Sequence, residues 1–189
     1  MTTVILTGGG SRRMGSDKAM LSWQGKTMLQ SLIDRYSVLG DVAVSVNHPG
    51  RFKFHGASEL VDEYPDMGPI NGVVSAFRKT DAQTVFMTAT DLPFGQPELA
   101  ERLASLLGDR DACILRRGMK SAEPLFAVYS RSCLDPAEKM LRAGRKRFME
   151  LLDELYVRYV DDDELPGFEL DRILMNVNTR EEYERIACG

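Results

Sequence analysis

A glycine-rich loop with basic side chains carries the clearest chemical signal in this sequence. Gly8, Gly9 and Gly10 directly follow a short apolar run, and the loop continues through Arg13 to Lys18. Because glycine has no Cβ, consecutive glycines let backbone N–H groups come close to an anion. The nearby cationic side chains favour a polyphosphate as that anion. The alternative interpretation is a plain surface turn, which a run of glycines by itself would favour.

Two well-known phosphate-binding loops do not fit this spacing. Gly10 and Gly15 are separated as in a P-loop, but Ser16 stands where the P-loop lysine should follow. In a dinucleotide-binding fingerprint Gly8 and Gly10 would be the first two glycines. Arg13 would then occupy the third glycine position, where its side chain blocks close packing of the helix. The loop therefore belongs to a third kind.

Asp91 is the second candidate for chemistry. It comes after residues 84–89, the most strand-like stretch of the chain, and Pro93 ends that stretch. Ligands of open parallel sheets bind outside the carboxyl ends of the strands, so Asp91 should face the same crevice as the glycine-rich loop. A carboxylate in that position is a candidate ligand for Mg²⁺. The alternative is an aspartate that only caps the turn before Pro93.

Alternating strands and helices must position these residues. Hydrophobic periodicity predicts strands at residues 4–6, 42–46, 59–61, 84–89, 112–115, 125–129, 156–160 and 173–177. It predicts helices over residues 27–39, from 70 to about 77, 97–107, from 135 onward and after 178, and residues 148–152 are apolar enough to pack. Asp135 with Pro136 is expected to start one helix, and Thr179 with Glu182 to form a capping box for the last. Strand, helix, strand order predicts a parallel α/β sheet with right-handed crossovers.

Composition limits the possible functions. The chain has 189 residues, 43% of them hydrophobic, which predicts one domain over residues 1–189. The formal net charge of −4 argues against a nucleic-acid partner, which would need a broad basic surface. Three widely spaced cysteines indicate neither a disulfide framework nor a zinc site, as expected for a cytoplasmic protein. No apolar run approaches the length of a membrane span, so we expect no membrane partner.

The loop also resembles that of a known family. The pattern Leu-x-Gly-Gly-x-Ser-x-Arg-Met-Gly-x-Asp-Lys, beginning at Leu6, resembles the signature loop of the nucleotidyltransferases that guanylylate molybdenum cofactor. Later family segments are resembled in the same order by Asp62 with Pro65, Gly68–Gly72, Thr90–Phe94, Glu123–Leu125, Leu141–Arg147 and Asn176–Thr179. The resemblance implies a single three-layer, doubly wound, Rossmann-like α/β domain with a mostly parallel sheet, like the nucleotide-diphospho-sugar transferases.

The resemblance also implies an activity: transfer of GMP from GTP to the terminal phosphate of molybdopterin, with Mg²⁺ as cofactor and pyrophosphate released. Lys18, Asp91 and Arg13 would be catalytic, and Asp91 would hold the metal. The nucleotide would be bound by Leu6, Thr7, Gly8, Gly9, Gly10, Arg13, Lys18, Asp62 and Asp91, with Asp62 and the main chain of Leu6 and Thr7 on the guanine. The acceptor would be bound by Arg145, Arg147, Asn176 and Asn178. Transient contact with cofactor-delivery proteins or molybdoenzymes is a further expectation.

Three departures from the family pattern concern the base pocket. Thr7 replaces the usual Ala and adds a hydroxyl, and Ser45 replaces the first Asn of the common Asn-Ala-Asn. Residues 65–67 also differ around the glycines.

Related reactions stay open as alternatives, namely cytidylyl transfer to molybdopterin or nucleotidyl transfer to a sugar phosphate. A GTP-binding module without turnover is a third, but the chain has neither the Gly-Lys-Ser/Thr ending nor the Asn-Lys-x-Asp motif of switch GTPases.

Overall fold

The structure is a computed structural model that describes residues 1–8, 17–64, 66–118 and 121–187. Three predicted site residues, Gly9, Gly10 and Arg13, lie outside these ranges. The strands are β1 (Thr2–Leu6), β2 (Ser22–Trp23), β3 (Lys26–Thr27), β4 (Val42–Val46), β5 (Ser58–Val61), β6 (Thr84–Ala89), β7 (Ala112–Arg117), β8 (Ser121–Ser130) and β9 (Val157–Asp161). The helices are α1 (Met28–Tyr36), α2 (Ile70–Lys79), α3 (Pro97–Leu106), α4 (Leu134–Arg142), α5 (Phe148–Leu152), α6 (Leu170–Ile173) and α7 (Arg180–Ala187).

Within the described residues, one sheet of seven strands has the order β5-β4-β1-β6-β8-β7-β9. Parallel pairs join β1 to β4 and β6, β4 to β5, and β7 to β9. Only β8 among these strands runs the other way, pairing antiparallel with both β6 and β7. The mostly parallel α/β sheet predicted from the sequence is confirmed. The hairpin of β2 and β3 stands apart from it and was not predicted.

Helices cover both faces of the sheet and give three layers. Adjacent strand residues point to opposite faces, so Ile5 joins the core cluster that contains residues of α1 and α3. Val4 and Leu6 join the other cluster, which contains residues of α2, α4 and α5. The alternation explains why these strands are apolar almost throughout, since a strand covered on both sides has no solvent face. None of the described helices is long and apolar enough to cross a membrane.

The start of α2 lies against the end of β1. A Cβ atom at Gly72 would lie 2.5 Å from Leu6 Cδ2, so any other residue here would require the Leu6 side chain to shift. The sequence predicted that the glycines of this segment let a helix begin close to another element. The structure identifies that element as the strand that leads into the glycine-rich loop.

Two local predictions were wrong. Residues 173–177 are not a strand: α6 ends at Ile173, and the chain then runs to Val177, whose N–H donates to Asp91 O at 2.8 Å. Leu170, Ile173 and Leu174 are buried at helical spacing, a period that so short an apolar run does not reveal. Helix α4 begins at Leu134 with Cys133 as its cap, because a preceding 3-10 turn leads directly into it. Asp135 lies instead in the first turn, where its negative charge interacts favourably with the positive end of the helix dipole.

Candidate functional site

The glycine-rich loop and Asp91 come after neighbouring strands at the carboxyl edge of the sheet. The chain passes from β1 to β4 and β5 on one side, then returns to β6 on the other side of β1. Leu6 pairs with Ala89, and the Thr90 N–H donates to Leu6 O at 3.1 Å. The crevice where strand order reverses is the usual ligand position in such sheets. Gly8 is exposed there, and a Cβ on it would meet no described atom within 4 Å.

Lys18 lies at one end of this crevice. Its side chain is unusually enclosed for a lysine, with 7% of the residue exposed, and Nζ donates to Asn178 Oδ1 at 2.9 Å. The lysine begins a 3-10 turn that Asp17 caps by accepting a hydrogen bond from the Ala19 N–H at 3.2 Å. The fold thus gives Lys18 a defined position, and a mobile surface lysine would have none of these contacts.

Asp91 lies close enough to Lys18 for their charges to interact. Burial raises the pKa of the Asp91 carboxyl above its ordinary value, and the charge of Lys18 opposes that shift. The Oδ1 atom is buried and has no hydrogen-bond partner within the described part of the chain. A buried carboxylate oxygen without a donor is costly unless something else satisfies it. Asp91 therefore keeps an acceptor that the described residues leave unsatisfied.

The segment after α6 holds Asn178 beside Lys18. The Glu182 carboxylate accepts from the N–H groups of Asn178 at 2.6 Å and Thr179 at 2.9 Å. The Glu182 N–H donates in return to Thr179 Oγ1 at 3.2 Å, so the predicted capping box is confirmed. Hydrogen bonds from the backbone of Asn178 and Thr179 lower the pKa of Glu182. The Tyr183 hydroxyl, which donates to Ser22 O, fixes α7 near the start of the chain.

Three polar side chains form the other end of the crevice. Thr7 Oγ1 donates to Ser45 O at 2.5 Å, and Ser45 Oγ donates to Asp62 Oδ1 at 2.8 Å. The Asp62 N–H donates to Val46 O at 2.9 Å, which fixes the main chain just after β5. Burial raises the pKa of the Asp62 carboxyl, and the hydrogen bond from Ser45 opposes that shift. Thr7 and Asp62, predicted separately, are thus connected through Ser45.

Arg51 contributes to the site and was missed by the sequence analysis. Its guanidinium donates to Asp17 Oδ2 at 2.7 Å and to Asn47 Oδ1 at 3.1 Å. It therefore ties the end of the glycine-rich loop to the end of β4. A single arginine in an irregular connection has no periodicity or motif that would have identified it.

The acceptor candidates lie in two separate places. Asn176 and Asn178 flank Val177, which is bonded to the main chain of Asp91. Arg145 instead forms ion pairs with Glu150 at 3.0 Å and Glu154 at 2.6 Å. Arg147 is exposed, and the intervening Lys146 donates to Asp66 O at 3.4 Å, so the basic loop lies against the connection before α2. No hydrogen bond or ion pair among described residues joins these two places.

The donor set near Asp91 suits a particular kind of metal. No group of three His, Cys, Asp or Glu side chains within the described ranges could enclose an ion. A zinc site usually has three or four such ligands, whereas Mg²⁺ is usually held by one or two carboxylates together with substrate phosphates and water. The single open carboxylate oxygen of Asp91 fits the second arrangement.

Comparison with known proteins gives relatives along nearly the full length. A probable molybdenum cofactor guanylyltransferase of Pelotomaculum thermopropionicum is 32% identical over 183 residues, covering 94% of this chain and 87% of the relative. One from Geobacillus sp. is 28% identical over 192 residues, covering 98% and 97%. The crystal structure of molybdopterin-guanine dinucleotide biosynthesis protein A from Archaeoglobus fulgidus superposes with a TM-score of 0.83 at 26% identity, covering 99% of this chain and 97% of that one.

A more distant structure shows the same fold. The 2-C-methyl-D-erythritol 4-phosphate cytidylyltransferase of Thermus thermophilus has a TM-score of 0.68 at 15% identity, covering 97% of this chain and 95% of that one. The Rossmann-like, nucleotide-diphospho-sugar transferase-like fold implied by the sequence motifs is thereby confirmed. Residues 3–158 match the MobA-like NTP transferase domain. The resemblance first indicated by the glycine-rich loop is confirmed, and the chain belongs to the MobA-like NTP transferase family of nucleotidyltransferases.

Proposed function

We propose that this chain transfers GMP from GTP to the terminal phosphate of molybdopterin, releasing pyrophosphate and forming a guanine dinucleotide cofactor. Full-length similarity to proteins named molybdenum cofactor guanylyltransferase supports this reaction. One structural observation carries it: Lys18 and Asp91 are held within electrostatic reach of each other where the strand order reverses. A reaction on a triphosphate needs a positively charged side chain near the phosphates and a carboxylate that can hold a metal ion beside them.

The reaction needs no nucleophile from the protein. The attacking phosphate of the acceptor is already an anion, so the catalytic task is to neutralise the triphosphate and align it in line with the acceptor. In the proposed site the Gly8 N–H and the side chain of Lys18 would contact the phosphates. The same role is proposed for Gly9, Gly10 and Arg13, which lie outside the described residues. Asn178 keeps Lys18 in place through the bond to its Nζ.

Asp91 would hold Mg²⁺ through its unpartnered Oδ1 atom. When bound, the metal would neutralise charge on the phosphates of GTP. The nearby Lys18 favours the ionised carboxylate despite its burial, which keeps Asp91 available as a ligand. Mg²⁺ as cofactor is part of the proposal, on the fit of this donor set.

Asp62 would recognise the base. A carboxylate accepts hydrogen bonds only, and guanine presents donors at N1 and at its exocyclic amino group. Main-chain groups of Leu6 and Thr7 lie at the end of β1, next to the strand that carries Ser45. These groups would provide the rest of the contacts to guanine.

The acceptor would approach from the side of Asn176, which is exposed next to the Asp91 segment. Arg145 and Arg147 lie in the basic loop of residues 145–147, beside residues 66–68. They would bind the phosphate of the acceptor only if the bound acceptor extends as far as this loop. Both are surface-exposed, so the ion pairs of Arg145 can exchange for a phosphate at small energetic cost. Cytoplasmic localisation and transient contact with delivery proteins or molybdoenzymes are further parts of the proposal.

A nucleotide competition assay tests the function. Pyrophosphate release is measured from GTP, CTP and ATP, each with Mg²⁺ and with or without molybdopterin. GTP should be preferred by up to a factor of about 10⁴, because mismatched bases leave buried polar groups unpaired. Equal or better use of CTP would reject guanylyl transfer in favour of cytidylyl transfer. GTP binding without acceptor-dependent pyrophosphate release would identify a binding module instead.

A further inference from the structure

The two departures from the family pattern at Thr7 and Ser45 are in direct contact. We infer that Thr7 and Ser45 form a hydrogen-bond relay, which runs from the Thr7 hydroxyl to the main chain of Ser45 and from the Ser45 hydroxyl to Asp62. The relay positions Asp62, so that the base preference of this chain depends on two side chains that need not touch the base. The inference rests on the proposed function, because it assumes that Asp62 contacts guanine. It assigns a positioning role to the side chains of Ser45 and Thr7 and leaves the direct side-chain contact with the base to Asp62.

The sheet register brings the relay together. Ser45 pairs with Leu6 on β1 and with Leu60 on β5, so it lies between the ends of the two strands that lead to Thr7 and Asp62. Thr7 is 2% exposed and Ser45 is 6% exposed. Their hydroxyls are therefore largely shielded from water, and each hydrogen bond that they make is costly to leave unmade.

The hydrogen bond from Ser45 fixes the orientation of the Asp62 side chain, which the backbone bonds of Asp62 do not determine. Its main chain is held by the bond to Val46 O. The carboxylate torsion of an aspartate has broad minima, so a bond to one of its oxygens is needed to hold the group in one orientation. Ser45 Oγ makes that bond at 2.8 Å. A hydroxyl has one proton to donate, and Ser45 gives it to Asp62.

Thr7 completes the relay at its other end. Its hydroxyl donates to the carbonyl oxygen of Ser45 at 2.5 Å, holding the main chain from which the serine side chain extends. An alanine at position 7 would lack this bond. A carboxylate offers about four acceptor positions, so after the bond from Ser45 it keeps further ones for a base. The hydrogen bond from Ser45 also lowers the pKa of Asp62 and so opposes the effect of burial. It thereby favours the ionised carboxylate, the form that only accepts hydrogen bonds.

The first experiment measures the relay without catalysis. The Asp62 carboxyl is titrated by NMR with carbon-13-labelled aspartate in the parent and in Ser45→Ala, Thr7→Val and Thr3→Val. Ser45→Ala should raise the Asp62 pKa, because the ionised carboxylate loses a donor, and Thr7→Val should raise it less. Thr3→Val is the matched control, since Thr3 is a buried threonine of β1, the strand just before Thr7, and its Oγ1 has no partner among described residues. An unchanged Asp62 pKa in Ser45→Ala would overturn the relay.

The second experiment measures base preference. The ratio of kcat/KM for GTP to that for ITP, which lacks the 2-amino group, should fall in Ser45→Ala by about threefold to tenfold, the usual effect of one hydrogen bond. In an Asp62→Asn background the same substitution should have no further effect, because both act through one carboxylate. A ratio unchanged in Ser45→Ala would overturn the specificity role, as would additive effects in the double variant. A parent that releases no pyrophosphate from GTP would reject the proposed function, and the titration would still report the relay.

Discussion

The two ends of the candidate site are built in different ways. At the base end, Thr7, Ser45 and Asp62 are linked over separations of 38 and 17 residues, on strands that pair side by side. At the phosphate end, Lys18 depends on Asn178, which is 160 residues away and beyond the part of the chain that matches the family at residues 3–158. The base end is therefore a product of the sheet itself. The phosphate end depends on a segment that packs against the sheet from outside.

Asp91→Asn should have the largest effect, at the phosphate end. The amide keeps the shape of the side chain but removes the charge that a hard cation requires. Turnover at saturating GTP should fall by about 10²–10³, as for other groups that stabilise a transition state electrostatically. The measurement is the Mg²⁺ dependence of guanylyl transfer, with a melting curve to confirm the fold.

Asp81→Asn is the matched control, because Asp81 is exposed just before the same strand, at its opposite end. That variant should keep parental turnover. An Asp91→Asn variant with near-parental turnover and an unchanged Mg²⁺ requirement would show that Asp91 only caps the turn before Pro93. The metal would then have to bind elsewhere.

Lys18→Ala should have the next largest effect. Loss of a hydrogen bond to a charged group should weaken GTP binding by about tenfold to a hundredfold. The loss should shrink as salt concentration rises, because ions screen the attraction. Calorimetric titration with GTP at several salt concentrations measures it. Lys26→Ala is the control, since Lys26 is exposed and pairs with Asp34 on the surface. Parental GTP affinity of Lys18→Ala at low salt would make Lys18 a structural residue.

Asn178→Ala tests whether the base end and the phosphate end of the site act independently. Without the Asn178 amide Lys18 loses one hydrogen bond that holds its Nζ, and GTP affinity should fall by about threefold to tenfold, the value of one hydrogen bond. The preference for GTP over ITP should stay parental, because the base end shares no hydrogen bond with Asn178 among the described residues. Combined with Ser45→Ala, the two changes should add, as they do for separate sites. A changed base preference in Asn178→Ala would show that the ends are coupled.

The smallest expected effect concerns stability and pH. Burial raises the pKa of Asp91 from its ordinary value of 3.8, so the folded state holds this proton more tightly than the unfolded state. The contribution of Asp91 to stability is then full below the unfolded pKa and is lost as pH rises through the folded pKa. Asp91→Asn should therefore melt higher relative to the parent at pH 7 than at pH 3. A difference in melting temperature that does not change with pH would contradict the raised pKa.

The features that the sequence predicted best are those that the rules of parallel sheets impose. Gly8 and Asp91 each come after an apolar strand, and carboxyl ends of neighbouring parallel strands meet at one edge, so their convergence was predictable. The bond between Lys18 and Asn178 was not, because no periodicity connects residues so far apart. Ser45 was noticed only as a departure from a family pattern. The position of Ser45 between Thr7 and Asp62 depends on the pairing register of β4 with β1 and β5. A strand that is apolar on both faces specifies that register only weakly in its sequence.

The capping box and the wrongly predicted strand show the same limit within one segment. Thr179 and Glu182 could be predicted because the motif is local and completes itself within one helical turn. Residues 173–177 could not, because residues 173–175 donate to the preceding helical turn and the Val177 N–H donates to Asp91 O, a partner that nothing in the local sequence identifies. The local capping box was predictable, and the long-range bond of Val177 to Asp91 was not.

The long separation between Lys18 and Asn178 also determines when the site is completed during protein synthesis. The ribosome adds Asn178 160 residues after Lys18. By the time residue 62 has emerged, Thr7, Ser45 and Asp62 are all available, and their strands can pair. The hydrogen bond between Lys18 and Asn178 can form only after almost the entire remaining chain has been made. On the proposed function, a nascent chain has the components for recognising a base long before Asn178 can hold Lys18, and it should reach its full affinity for GTP only after translation has passed residue 178.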